Sequence, residues 1–151
     1  MVDAARSFGG IGMKLRHLAL AAMPLVASSA IACAQSPSRF DGQWSVTQEC
    51  PASGTARGYT VHYPMTVAKG VARAQHGTEG KPGSWTVSGP IAADGSATFV
   101  VRGLTGASDL TPHNLQEGSK VHYTFPARFD AKRGTGKRTM QRPCTFTFER
   151  S

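Results

Sequence analysis

The stretch GQWSVTQEC, residues 42–50, alternates with period two. Trp44, Val46, Gln48 and Cys50 fall on one face, and Ser45, Thr47 and Glu49 on the other. That pattern sets one face of a β-strand against a core and the other in water. The same alternation continues outward along the chain. Tyr59, Val61, Tyr63, Met65 and Val67 share a face, and a turn at 68–70 leads into a weaker strand over 71–76. A Gly/Pro-rich turn at 77–83 precedes Trp85, Val87 and Ile91. Asp94-Gly95 then marks a hairpin, because tight turns need the positive φ that glycine supplies, and Ala97, Phe99 and Val101 follow. Val121, Tyr123, Phe125, Ala127 and Phe129 form the longest clean alternation. A turn at 130–134 leads to a strand over 135–140, and Cys144, Phe146 and Phe148 lie on the last one. No segment carries a helical apolar stripe of useful length.

Eight strands joined mostly by short hairpins predict an all-β antiparallel meander. Each strand has one apolar face, so the simplest solution is an up-and-down barrel that removes exposed edges. A two-sheet sandwich is the alternative. One connection, 104–118, is long, and Thr111-Pro112 within it can start a single helical turn, with Pro112 where its missing N–H costs nothing.

The N-terminus reads as an export signal. Met13-Lys-Leu-Arg-His is a short basic region, residues 18–32 are apolar but too short to cross a bilayer, and Ala32-Cys33-Ala34 supplies small residues for cleavage. Residues 1–34 are therefore assigned to an extension and signal peptide, 35–39 to a flexible tail, and 40–151 to the barrel. Ala30-Ile31-Ala32 fits a lipidation motif poorly, so Cys33 is expected to leave with the signal rather than carry a lipid. The expected location is periplasmic or secreted. Two cysteines, Cys50 and Cys144, remain, and in an oxidising compartment they read as one disulfide.

In an eight-strand meander the first and last strands run antiparallel and meet at closure. If Cys50 and Cys144 lie opposite each other, Val46 faces Phe148 and Trp44 faces Arg150. All of these positions fall on inward faces, a coincidence that the strand assignment did not require.

Gly42-Gln43-Trp44 on this first strand resembles the G-x-W motif of calycin barrels: the lipocalins, avidins and small bacterial metalloprotease inhibitors. In lipocalins an arginine near the C-terminus packs across that tryptophan, and the resemblance assigns this role to Arg150 over Trp44. No second lipocalin motif is present, and the polar residues of a biotin site have no counterparts. The inhibitors do not tie their first and last strands by a disulfide.

Composition adds a charge asymmetry. The chain carries a formal +8, and the excess basic residues lie from Lys120 onward, opposed there only by Asp130 and Glu149. Lys132, Arg133, Lys137, Arg138 and Arg142 are the candidate anion-binding surface, suited to an anionic envelope component. Inside, Tyr59, Tyr63, Trp85 and Tyr123 are the candidate lining of a mouth for an apolar or aromatic small molecule, although a core filled by the inward rings is the competing expectation. His62 and His122 fall on polar faces, and there is neither an H-E-x-x-H nor a G-x-S-x-G sequence. The chain is thus read as a non-enzymatic binding barrel, with no metal or cofactor expected and nucleic acid not an expected partner. The alternative is an inhibitor of a secreted or host hydrolase, with the 35–39 tail as its inserting segment.

Mass analysis of the exported protein is expected to find a mature N-terminus at Gln35. A diacylglycerol on Cys33 would overturn that assignment.

Overall fold

The computed structural model describes residues 37–151. The expected signal segment and Cys33 lie outside the described residues. Eight strands follow in order: β1 Gly42–Cys50, β2 Tyr59–Ala68, β3 Val71–His76, β4 Trp85–Pro90, β5 Ser96–Leu104, β6 Lys120–Phe129, β7 Arg133–Arg138 and β8 Cys144–Arg150. Each pairs antiparallel with the next, and β8 returns to β1 to close a barrel. The sandwich alternative falls.

Closure has the register read from the sequence. Trp44 pairs with Arg150, Val46 with Phe148 and Gln48 with Phe146. Cys50 and Cys144, next in the series, are disulfide-bonded across 94 residues.

The seventh strand begins earlier than expected. Asp130 accepts the backbone N–H groups of Lys132 at 2.8 Å and Arg133 at 2.7 Å through one carboxylate oxygen. The Asp130 N–H in turn reaches the Arg133 carbonyl at 2.8 Å. A side chain that satisfies its own turn lets the chain reverse two residues sooner.

The barrel has unlike ends. One carries the short connections 69–70, 91–95 and 130–132; the other carries 51–58, 77–84, 105–119 and 139–143. The short-loop end is plugged. Pro37–Phe40, partly assigned to the flexible tail, instead forms a 3₁₀ turn, and Phe40 is fully buried. The Trp44 indole N–H donates to the Phe40 carbonyl at 2.9 Å, and Trp44 meets Phe129 edge-on at 5.4 Å. Arg150 sits over Trp44 at 5.6 Å and donates to the carbonyls of Arg39 at 3.0 Å, Ala131 at 3.2 Å and Asp41. Gly42 is required beneath it. Its φ is +139°, and a Cβ there would stand 3.3 Å from the Arg150 guanidinium. The Gly and the Trp of the motif thus serve one arrangement, a bare backbone and a flat ring under a single guanidinium.

Above this plug the lumen is packed with phenylalanine. Phe125 stacks on Phe146 at 3.9 Å, and Phe99 meets Phe125, Phe129 and Phe148. Each such ring, at most 3% exposed, contributes roughly 2–3 kcal/mol by leaving water. The space comes from β7, where Gly134 and Gly136 turn inward. A Cβ on Gly134 would meet the Phe129 ring at 2.7 Å, and one on Gly136 the Phe125 ring at 2.9 Å. The β6–β7 ladder is short: only Ala127, Arg128 and Phe129 pair with Gly136, Thr135 and Gly134.

Replacing Cys50 and Cys144 together by alanine is expected to lower the unfolding free energy by roughly 4 kcal/mol, since the bridge closes a long loop. Urea unfolding reads this directly. A loss under about 1 kcal/mol would mean that the bridge adds nothing to closure.

Candidate functional site

The long connections surround a cavity of about 700 Å³ at the open end, within the range that accepts a small organic molecule. Its wall takes Tyr59 and Val61 from β2, His76 from β3, Trp85 from β4, Tyr123 from β6 and Arg138 from β7. Gln48 reaches it from β1, and Leu110 and Leu115 from the 105–119 connection.

Gln48 is the polar residue on the apolar face of β1, and its burial is nearly complete. Its amide oxygen accepts the Tyr63 hydroxyl and its amide N–H donates to the Tyr59 hydroxyl, both at 3.2 Å. One side chain so satisfies two buried phenols that would otherwise cost about 1–3 kcal/mol each. Burial pushes the pKa of Tyr59, Tyr63 and Tyr123 upward. The positive charges of Arg142 and Arg138 oppose that rise at Tyr59, as Arg138 does at Tyr123.

Trp85 stacks on His76 at 4.1 Å and meets Tyr63 edge-on at 6.1 Å. Burial against this wall holds the His76 imidazole below its ordinary pKa. The indole N–H of Trp85 is the one buried side-chain polar atom without a hydrogen-bond partner among the described residues.

Two arginines complete the site. Arg142, almost wholly buried, donates to the carbonyls of Leu110 at 2.5 Å, Pro51 at 2.8 Å, Cys50 at 3.3 Å and Arg57. It therefore fastens two mouth connections to the 139–143 connection that leads to Cys144. Burial and the neighbouring Arg138 charge lower its pKa. Arg138 is 9% exposed, lies 4.1 Å above the Tyr123 ring and donates from Nε to the Met140 carbonyl at 3.1 Å.

Arg138 and Arg142, expected on an anion-binding surface, are both buried at the mouth. Arg138 falls on the inward face of β7, in phase with Gly134 and Gly136, and Arg142 is buried in the connection before Cys144. Lys132 and Arg133 sit exposed at the plugged end, about 17 Å from Arg138 along the strand. Lys137 points outward. The five cations are not one patch. Of the aromatic candidates, Tyr59, Trp85 and Tyr123 line the cavity; Tyr63 does not, being packed in the core with its hydroxyl on Gln48. Trp44 and Arg150 occupy the plugged end as expected.

The 105–119 connection carries two 3₁₀ turns, Ser108–Leu110 and Pro112–Asn114, the second with Pro112 at its first position. His113 within it has φ +59°, so the expected helical turn does not run on. The Arg57 N–H donates to the Asp109 carbonyl at 2.7 Å, and their side chains form an exposed ion pair at 2.6 Å.

Comparison with protein-family models, with curated proteins and with solved structures finds no match to this chain. The geometry alone carries the functional reading.

The missed residues had signals. Gln48 interrupts an apolar face, and the phase of Arg138 with two glycines marks it as inward.

All three tyrosines of the chain are raised above the ordinary phenol value of 10.0. The folded state therefore holds these protons more tightly than the unfolded one. Stability is fully present below pH 10 and falls as pH rises from there through the higher folded values. Absorbance at 295 nm is expected to show no tyrosinate step centred at 10 in the native protein and a normal one in urea. A native step at 10 would contradict the buried network.

Proposed function

We propose that this chain is an exported, calycin-like barrel that binds a small molecule with an apolar or aromatic body and performs no chemistry on it. The observation that carries the reading is the cavity itself. A barrel packed solid by phenylalanine at one end leaves about 700 Å³ at the other, walled by Tyr59, Trp85 and Tyr123. Rigid rings present large contact area with little side-chain entropy to lose on binding. The strands that hold them are fixed by the plugged end, so the pocket is largely formed before a ligand arrives. The calycin-like part of the proposal is supported by Gly42 and Trp44 with Arg150 packed across the indole. Export is supported by the basic-apolar leader in the sequence and by the disulfide, which is compatible with an oxidising compartment.

The two other readings draw less support. An anionic-surface site is left with Lys132, Arg133 and Lys137 once Arg138 and Arg142 turn inward. The inhibitor reading needs a free 35–39 tail, whereas Phe40 is buried and the Arg39 carbonyl is held by Arg150.

Titrating the protein with small neutral and acidic naphthalene derivatives is expected to quench Trp85 emission saturably. The quench should vanish in Trp85→Phe, because Trp44 is shielded in the plug. Val61→Phe, which fills the wall, is expected to weaken binding about tenfold. Absence of saturable binding by every compound would refute the proposal.

A further inference from the structure

The cavity is unusual in its charge. Lys120, Arg138 and Arg142 line it, and no aspartate or glutamate does. The ion pairs among the described residues, Arg57 with Asp109 and Arg128 with Asp94, involve none of these three cations. A buried cation is costly unless hydrogen bonds or an opposite charge compensate it.

The two buried arginines differ in how they are compensated. Arg142 directs Nε and both Nη groups at backbone carbonyls, so its donors are occupied and only its charge reaches the cavity. Arg138 donates from Nε to the Met140 carbonyl, and its side chain also hydrogen-bonds that of Tyr123. Its guanidinium plane is fixed by the Tyr123 ring beneath it, and its two Nη groups have no carbonyl or carboxylate partner among the described residues. The Nη1–Nη2 edge thus meets no anionic partner, and it is a planar fork, the shape that pairs two parallel N–H groups with the two oxygens of a carboxylate.

We propose that the ligand is an amphipathic anion, an apolar body carrying one carboxylate, with that carboxylate held by the Nη edge of Arg138. The proposal rests on the binding-barrel reading and narrows it. The body lies against Trp85, Tyr59 and Val61, while the head meets Arg138 in the added positive field of Arg142. A neutral ligand of the same shape would leave Arg138 uncompensated, and a cation would be repelled. The ring of Tyr123 has a second part in this arrangement. By carrying the guanidinium on its face it lowers the cost of holding the charge ready before the anion arrives.

Three probes test the idea on the full mature chain: 2-naphthoate, dodecanoate and the neutral 2-naphthylmethanol, each titrated at pH 7. At least one carboxylate is expected to bind about ten- to a hundredfold more tightly than the alcohol, the range of a charge-assisted hydrogen-bonded pair. Which carboxylate wins decides between an aromatic and an alkyl body. Arg138→Met should erase the preference for carboxylate over alcohol, and Arg138→Lys should restore part of it. In the unaltered protein the preference should also disappear as the probe's carboxylate is protonated near pH 4, which tests the claim without a substitution. If alcohol and carboxylates bind alike at pH 7, the anion assignment falls and the binding cavity stands. If the preference survives both Arg138→Met and acidification, the head is held elsewhere and the assignment also falls. If no probe binds at all, the binding-barrel reading falls with it.

Discussion

The pairing of β1 with β8 is the constraint on which the rest of the structure depends. These strands lie at opposite ends of the folded chain, so bringing them together costs more loop entropy than any hairpin. Two fastenings hold the register. Arg150 grips the backbone around Trp44 at one end, and the Cys50–Cys144 bridge locks the other. A slip of one residue between them would turn Trp44, Val46 and Gln48 outward together, because side chains alternate strictly along a strand. The plug would lose its centre and the mouth would lose the amide that satisfies its tyrosines.

The same eight strands then build two different interiors. Toward the short turns the inward residues are phenylalanines facing glycines, and side chains fill the lumen. Toward the long connections they become Gln48, Tyr59, Trp85, Tyr123 and Arg138, each with an apolar body and a polar group. No separate domain is needed for the site. It arises where the aromatic packing runs out and the strands keep going. Because the polar groups are carried on strands, the packed end holds them in place, and only the rim depends on connections.

Much of this was legible in the sequence because period-two alternation states which face is buried, and two cysteines state how the ends meet. Trp44, Arg150 and the closing register followed from those facts alone. The site was harder. Charge counting placed Arg138 and Arg142 on the surface because most Lys and Arg side chains are solvated, yet the phase of Arg138 along β7 pointed inward, and Arg142 is buried by its bonds to loop carbonyls. Tyr63 shares a face with Tyr59 and so read as part of the mouth. What separates them is depth along the barrel, which depends on how each strand staggers against the next. The start of β7 moved for a local reason, the carboxylate of Asp130 capping its own turn. Nothing in alternation alone marks that residue as the turn's acceptor.

The short ladder between β6 and β7 bears on how anything reaches the interior. Arg142 ties the rim connections to β1 and to the approach to β8, so the top of the barrel is braced by a buried guanidinium. Along the wall, by contrast, only three residue pairs join β6 to β7 before the strands part, and Arg138 lies at the end of that divergence. Local opening is cheapest where the fewest cooperative hydrogen bonds must break. The wall beside Tyr123 is therefore where local opening breaks the fewest strand-to-strand hydrogen bonds, and the Arg138 guanidinium lies next to it.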